Sequence, residues 1–220
     1  MKAFVITLLN NNQSVKAANK CIASAKKVGG IRVEKMAACD ASKVDVHEIF
    51  KANGIGPSSN FVDVWSRQDK AMACFFSHYS AWAIAEASNK PILILEHDAV
   101  FKKKIDLDAL EFNGILNIGK PSYGRFETPH FSGVGAFVSG GQGYLKGAHA
   151  YVVSPEAASD LIKLAKTKAG PADLFISLQN FPRMEEYYPW PVVVEETFST
   201  VQKEKGTLAK HAYDKDYKVI

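Results

Sequence analysis

The stretch Pro91-Ile92-Leu93-Ile94-Leu95-Glu96-His97-Asp98 decides the fold class of this 220-residue chain. Its apolar run has the length and composition of a buried strand. The run ends abruptly in two acids, and open α/β sheets bind their ligands at the carboxyl ends of the strands. The sequence therefore predicts an α/β fold in which Glu96 and Asp98 lie at the functional edge of the sheet.

Two carboxylates at such an edge can hold a cation. Mn²⁺ and Mg²⁺ prefer carboxylate oxygens and take their remaining ligands from water or substrate phosphates. Residues two positions apart face the same side of a strand, so Glu96 and Asp98 can serve one ion. The alternative is a strand that merely ends in polar residues at the surface. Two acids alone do not decide between these interpretations.

The elements around this strand follow the pattern of a mainly parallel sheet. Strand, helix, strand, helix, helix, strand is the predicted order before residue 96. Strands are predicted at 4–9, 31–37, 91–95, 112–118, 149–153 and 192–194, and helices at 14–28, 42–53, 69–87 and 154–168. Ser14 and Ser42 are the expected caps of the first two helices. Without a repeat or linker, we expect one domain over residues 1–202 and a basic tail over 203–220.

Composition narrows the class of protein. The chain is 47% hydrophobic, which suffices for one large core. Its three cysteines lack metal-site or disulfide spacing and indicate a reducing, cytoplasmic compartment. No apolar run approaches a membrane span. The net charge of +4 is mild, and lysine runs at 102–104 and 203–218 leave open a peripheral contact with the inner face of the membrane, whereas nucleic acid is not favoured.

The segment from Pro121 to Gly147 is long and rich in glycine. It contains neither GxxxxGK[ST] nor GxGxxG, so it does not predict a phosphate-binding loop. Glycine and aromatic residues in a long loop favour a flap over a sugar or nucleotide. A surface hairpin is the alternative.

Several segments together resemble glycosyltransferase family 25, which includes the enzymes that add galactose to bacterial lipooligosaccharide. The matching segments, in the order of the family, are FVITL, AACDAS, ACFFSHYSAW, PILILEHDAVF, GAHAYVVSPEAASDLI, PADLF and PVVVEETFSTVQ. Each segment is weak evidence by itself. Their common order over residues 3–202 makes the resemblance strong.

The resemblance implies a single-domain GT-A type, Rossmann-like fold with a mixed, mainly parallel sheet. It also implies a UDP-sugar donor, typically UDP-galactose, Mn²⁺ or Mg²⁺ as cofactor, a glycan acceptor, and inversion at the anomeric carbon. The family usually has Glu-Asp-Asp where this chain has Glu96-His97-Asp98. Asp98 is then the first candidate for the metal ligand, with Glu96 contributing to the metal or to ribose contacts. His97 is expected to pack rather than to bind the metal.

Further residues are expected to bind the donor. The family places arginines after the first strand, but here that position is polar and uncharged, so the donor sugar is less constrained than the fold. Asp40 follows the second strand and can reach a uracil or ribose hydroxyl, or instead cap a helix. His78 can bind the donor or be a packed, hydrogen-bonded histidine. The predicted donor-binding residues are Thr7, Leu8, Asp40, Ser77, His78, Glu96 and His149.

Inverting transfer needs a carboxylate that accepts the proton of the acceptor hydroxyl. The resemblance favours Asp173, in Pro171-Ala172-Asp173, where the family has an acid. Glu195 and Glu196 are the reserve candidates because they follow the 192–194 strand.

Two other functions remain open at this stage. The acceptor could be a nucleic-acid base or a protein hydroxyl, and a nucleic-acid acceptor predicts binding that weakens steeply with salt. The chain could also be a non-catalytic relic that only binds a sugar nucleotide, given the histidine at position 97.

Overall fold

The computed structural model describes residues 1–195, 198–208, 210–211 and 217–220. The strands are β1 (Lys2–Thr7), β2 (Val33–Ala37), β3 (Ile92–Glu96), β4 (Ala99–Phe101), β5 (Ile115–Asn117), β6 (Gly133–Ala136), β7 (Ala150–Val153), β8 (Glu185–Tyr188), β9 (Val192–Val194), β10 (Phe198–Ser199) and β11 (Lys218–Val219). The helices are α1 (Asn12–Gly29), α2 (Val46–Ala52), α3 (Gln68–Ser88), α4 (Pro155–Lys168), α5 (Ala172–Phe175) and α6 (Glu204–Thr207).

The predicted strand at 91–95 forms β3, inside a seven-stranded sheet of order β2-β1-β3-β7-β5-β8-β6. β1 pairs in parallel with both β2 and β3, and β5 pairs in parallel with β8. β7 is antiparallel to β3 and β5, and β6 is antiparallel to β8. Two of the seven strands therefore run against the other five. The expected α/β class with a mixed, mainly parallel sheet is confirmed.

Side-chain alternation along β3 divides the core into two layers. Ile92 and Ile94 pack with α3 and α4 on one face of the sheet. Leu93 and Leu95 pack with α1 on the other face. Because successive strand residues point to opposite faces, the next residue, Glu96, points to the α3 side. The alternation of side chains along β3 thus places Glu96 on the face of the sheet that carries α3.

Aromatic packing fixes the position of α5 on α3. Phe175 lies edge-on to Phe75 with ring centroids 5.2 Å apart, and stacks on Trp82 at 5.7 Å. Phe75 and Trp82 are completely buried. Such pairs add roughly 0.5–1.5 kcal/mol each beyond their buried area. They hold the first turn of α5, including Asp173, against the middle of α3.

The first two helices begin differently from the prediction. Asn11, and not Ser14, caps α1, because its Oδ1 accepts the N–H groups of Gln13 and Ser14. The Ser14 hydroxyl instead accepts from the backbone of Leu8. The prediction took Ser14, the first serine before the apolar pattern, although Asn11 is an equally suitable cap three residues earlier.

For the second helix the expected cap was also wrong. Asp45 caps α2 by accepting the N–H groups of His47 and Glu48, so the helix starts at Val46. Ser42 belongs to a turn held by Asp40. β1 begins and ends two residues earlier than the predicted strand at 4–9, and β5 covers only part of the predicted strand at 112–118.

The glycine-rich segment is partly tied into the sheet. It contributes β6, and the buried Glu186 of β8 accepts hydrogen bonds from the backbone of Val138 and Ser139. Trp190 donates to the second oxygen of the same carboxylate. The described residues of 203–220 also contact the domain: β11 pairs with β10, and the backbone of Lys203 donates to Trp65.

Candidate active site

A cavity of about 180 Å³ opens at the carboxyl ends of β1, β2 and β3. Leu8, Asp40 and the turn 96–98 follow these strands and line it. α3, the start of α5 and the segment 198–202 complete the lining. The cavity lies at the sheet edge where the sequence predicted the functional site.

Glu96 is the end of a buried chain of hydrogen bonds. Its Oε1 lies 3.1 Å from Nε2 of His78, and Nδ1 of His78 lies 2.9 Å from the hydroxyl of Tyr151. Trp82 donates its Nε1 hydrogen to the same hydroxyl at 2.8 Å. Because an ionised carboxylate can only accept, His78 donates from Nε2 to Glu96, and in that tautomer Nδ1 accepts the hydrogen of the Tyr151 hydroxyl. The network fixes the ring orientation and orients the carboxylate in the cavity.

This network keeps Glu96 charged. Burial raises the pKa of Glu96, but the hydrogen bond from His78, together with the charges of Lys210 and His149, outweighs burial and lowers the pKa overall. A carboxylate held ionised at the edge of a cavity is suited to bind a cation or to accept from a ribose hydroxyl.

Asp98 lies beyond the end of β3, in the two-residue turn before β4. The two acids therefore do not lie on the same face of one strand, as strand alternation had predicted. Both residues nevertheless line the cavity. Asp98 is only 6% exposed. Burial and, to a smaller extent, the charge of Asp98 raise the pKa of Cys21 in α1 to about 12. The Asp98 carboxylate thus lies between the cavity and α1.

His97 lines the cavity between the two acids, and its ring packs on β10. Its ring stacks on Phe198 with centroids 5.3 Å apart and an angle of 6° between the planes. Its Nδ1 lies 3.3 Å from the hydroxyl of Ser14. These contacts join the turn after β3 to α1 and to β10.

Asp173 faces the same cavity from the first turn of α5. Tyr123 donates its hydroxyl hydrogen to Oδ2 of Asp173 at 2.5 Å. Burial raises the pKa of Asp173 above its usual value, and Glu96 adds to this, while Tyr123 and Lys210 oppose it. A raised carboxyl pKa favours proton transfer near neutral pH, as a general base requires.

Asp40 and Ser77 line the cavity near the end of β2. Oδ1 of Asp40 accepts from the backbone and hydroxyl of Ser42, and these bonds lower the pKa of Asp40. The Ser77 hydroxyl accepts from the backbone of Cys39 and donates to Ala73. Leu8 and His78 also line the cavity, and His78 lies beside Glu96.

Three other predicted site residues, Thr7, His149 and Glu195, do not line the cavity. The Thr7 side chain is fully buried and its hydroxyl donates to Val5. His149 is buried next to Gly119 and does not line the cavity. Glu195 forms ion pairs with Lys20 and Lys102, which lower its pKa. Glu196 lies outside the described residues.

Four residues at this site were not predicted. Cys74, Lys70 and Lys210 line the cavity, and Tyr123 binds Asp173. The spacing of Cys74 and His78, four apart in a predicted helix, was a signal that they share a face. Tyr123 and Lys210 reach the site from distant loops, and no local pattern marks them.

The described residues suit a hard divalent cation. Glu96 and Asp98 line one cavity and offer carboxylate oxygens, the ligands that Mn²⁺ and Mg²⁺ prefer. Glu96, Asp173 and Asp98 are close enough that their combined charge, after burial, raises the pKa of Cys74 well above its usual value. This concentration of negative charge in a partly closed space would be offset by a bound cation.

Part of the chain matches a known protein family. Residues 1–120 match glycosyltransferase family 25, described as an LPS biosynthesis protein. The matched region contains α3 and the whole of the Glu96-His97-Asp98 turn. The chain belongs to this family and is a glycosyltransferase. Family membership implies a nucleotide-sugar donor and a glycan acceptor.

Among solved structures, mouse xyloside xylosyltransferase 1 in its apo form aligns with 12% sequence identity over 83% of each chain, with a TM-score of 0.43. A search of curated proteins gives no match. Among the described residues, no helix combines the length and apolar character needed to cross a membrane.

Proposed function

We propose that this protein is a metal-dependent, inverting glycosyltransferase that moves a hexose from a UDP-sugar to a hydroxyl of a glycan such as lipooligosaccharide. Galactose is the favoured sugar. The observation that carries the proposal is the convergence of Glu96, Asp98 and Asp173 on one cavity at the carboxyl edge of the sheet. The family supports sugar transfer, and the separate environments of these acids support different roles.

Asp98 and Glu96 would hold Mn²⁺ or Mg²⁺. When bound, the cation supplies positive charge that offsets the negative charge of the departing diphosphate. Lys210 and Lys70 also line the cavity and can contact phosphate oxygens. Asp40 follows β2 and offers a carboxylate to the hydroxyl and amide groups of a nucleoside, and Ser77 of α3 also lines the cavity.

Asp173 would act as the base. Its carboxylate accepts the proton of the acceptor hydroxyl while the oxygen forms a bond to the anomeric carbon. The bond between that carbon and the diphosphate breaks on the opposite face, and the electron pair leaves with the diphosphate. The raised pKa of Asp173 and its contact with Tyr123 support this role over Glu195, whose ion pairs lower its pKa.

An apolar and basic surface adjoins the cavity and supports contact with a lipid-linked acceptor. Val62, Val64 and Trp65 are 70%, 55% and 49% exposed, directly before the cavity-lining Ser66. The exposed Lys205 lies over the Trp65 ring, 5.0 Å from its centroid. Exposed apolar side chains beside lysines favour binding to an anionic membrane surface. Sedimentation with anionic and neutral vesicles tests this contact.

A thermal-shift panel tests the proposed function. The protein is heated with UDP-galactose, UDP-glucose, UDP-N-acetylglucosamine and GDP-mannose, each with and without Mn²⁺. A UDP-sugar that binds the native state raises the melting temperature, and we expect this rise to require the metal. Release of UDP in the presence of a glycan acceptor then establishes turnover. Stabilisation by GDP-mannose alone, or by no nucleotide sugar, contradicts the proposal.

A further inference from the structure

Cys74, His78 and Glu96 bring three different metal-ligating groups together beside the cavity. Their ligand atoms all lie within 4.8 Å of one another. The Cys74 sulfur is 4.0 Å from Oε1 of Glu96, and Nε2 of His78 is 3.1 Å from the same oxygen. Thiolate and imidazole select softer ions than carboxylates do, so this set differs in chemistry from the pair formed by Glu96 and Asp98.

We propose that Cys74, His78 and Glu96 form a binding site for a thiophilic divalent cation, Zn²⁺ in particular, with its fourth position open to the cavity. The inference does not rest on the proposed sugar transfer, because it concerns metal binding without donor or acceptor. It does place Glu96 in two competing sites, one for a soft ion and one for a hard ion.

The separations suit tetrahedral zinc after small side-chain rotations. Zinc bonds of about 2.3 Å to sulfur and about 2.0–2.2 Å to nitrogen and oxygen place neighbouring ligand atoms roughly 3.4–3.6 Å apart. The observed 4.0 Å and 3.1 Å lie on either side of these values. Cys74 and His78 are one turn apart on the 21-residue α3, so two of the three ligands come from one rigid element.

The surroundings also support a metal-bound histidine. A ligating imidazole usually donates its other N–H to an oxygen, which fixes its orientation. Here the opposite ring nitrogen of His78 contacts the Tyr151 hydroxyl, and Trp82 anchors that hydroxyl from behind. When zinc binds Nε2, the imidazole proton would lie on Nδ1, and the Tyr151 hydroxyl would rotate so that its oxygen accepts this proton instead of donating to Nδ1.

Binding of zinc to Cys74 would release the proton of its thiol. The metal-free Cys74 side chain carries its thiol hydrogen at neutral pH, as an uncoordinated cysteine ordinarily does. Zinc would form a bond to sulfur, and the thiol proton would be released to solvent. Binding therefore releases about one proton per ion from Cys74, and a coordinating metal drives such a deprotonation.

Cobalt substitution tests the site directly. The chelator-treated protein is titrated with Co²⁺ without nucleotide, and the absorption spectrum is recorded. We expect one ion per chain, a thiolate-to-cobalt charge-transfer band in the near ultraviolet, and loss of the band when Zn²⁺ is added. Absence of the charge-transfer band from the wild-type protein would overturn the proposal.

Two cysteine variants identify the ligand. Cys74→Ser should abolish the charge-transfer band and weaken Zn²⁺ binding by at least about 100-fold, since even the loss of a supporting hydrogen bond costs roughly 10–100-fold. Cys39→Ser is the matched control, because Cys39 is a half-buried cysteine that lines the same cavity. Its band should be unchanged. A band that survives in Cys74→Ser, or disappears in Cys39→Ser, rejects the assignment whether or not the protein transfers sugar.

Discussion

Tyr123 and Asp173 are 50 residues apart in the chain, and their side chains are joined by a 2.5 Å hydrogen bond. Tyr123 belongs to the glycine-rich segment, whereas Asp173 begins α5. The bond therefore links the loop that borders the cavity to the helix that carries the candidate base. It also keeps one carboxylate oxygen engaged, so that the other can face an acceptor.

Replacing Asp173 with asparagine should separate binding from turnover. The amide keeps an acceptor for Tyr123 but cannot take the acceptor's proton, so we expect kcat to fall by roughly 10²–10⁴-fold. Donor affinity, measured by calorimetry, should stay within about twofold of the wild-type value, since donor binding involves no proton transfer. Asp160→Asn on the exposed face of α4 is the control. Wild-type turnover by Asp173→Asn would exclude Asp173 as the base.

The stability of Asp173→Asn relative to wild type should increase with pH. The pKa of Asp173 is raised in the folded protein, so its contribution to stability is complete below 3.8, the usual value, and is lost as pH rises through the folded pKa. Asp173→Asn removes this loss. Urea unfolding at acidic and neutral pH should show that stability of the variant relative to wild type increases with pH, and a constant difference would contradict the raised pKa.

The acidic side of the pH–rate profile should respond to Tyr123. Activity requires the Asp173 carboxylate and is lost as pH falls through its pKa, and the Tyr123 hydroxyl lowers that pKa. Tyr123→Phe should therefore move the acidic limb of kcat/KM to higher pH. Tyr188→Phe, a tyrosine that does not line the cavity, should leave the limb in place. Movement of the limb to lower pH in Tyr123→Phe would show that a different group is titrating.

Much of the fold followed from local sequence patterns. The apolar run before Glu96 predicted β3, and α3 and α4 appeared close to their predicted limits because their apolar spacing is long and regular. Shorter elements were less predictable. β6 lies in a segment of glycines and is held by pairing with β8, which sequence spacing does not show.

The residues of the candidate site were likewise predictable only where a local sequence pattern marked them. Glu96, Asp98 and Asp40 could be placed at the sheet edge because each follows a strand. The position of Glu195 could not, because its ion pairs with Lys20 and Lys102 arise from the packing of α1 beside β4 and β9. Likewise, nothing local to position 210 indicated that its lysine would face Glu96 and Asp173.

Asp98→Asn should remove metal-dependent transfer. The substitution keeps the size of a buried side chain but loses the charge that would hold the cation, so we expect at least about a 100-fold loss of kcat, comparable to the removal of one electrostatic stabiliser. The Mn²⁺ concentration for half-maximal rate should also rise. Circular dichroism checks the fold. An unchanged Mn²⁺ dependence would place the metal elsewhere.

Lys210→Gln should weaken binding of the diphosphate. Hydrogen bonds to charged groups contribute roughly 1.5–3 kcal/mol, which corresponds to about a 10- to 100-fold loss of UDP affinity. Without this cation, the pKa values of Glu96 and Asp173 should both increase. Lys205→Gln, at an exposed lysine outside the cavity, is the control. Equal UDP affinity of Lys210→Gln and wild type, measured by calorimetry at low salt, would remove Lys210 from the donor site.

Tyr151→Phe should destabilise the fold through the hydrogen-bond chain behind Glu96. The substitution removes the oxygen that accepts from Trp82 and the hydrogen donated to His78, leaving two buried polar atoms without this partner. Each such loss costs roughly 1–3 kcal/mol, so we expect the free energy of unfolding in urea to decrease by about 2–6 kcal/mol. Tyr187→Phe, at a half-buried tyrosine of β8, should change it by less than about 0.5 kcal/mol. A loss below about 1 kcal/mol in Tyr151→Phe would mean that water or a neighbouring group satisfies both atoms, and the ring of His78 would then not be fixed as described.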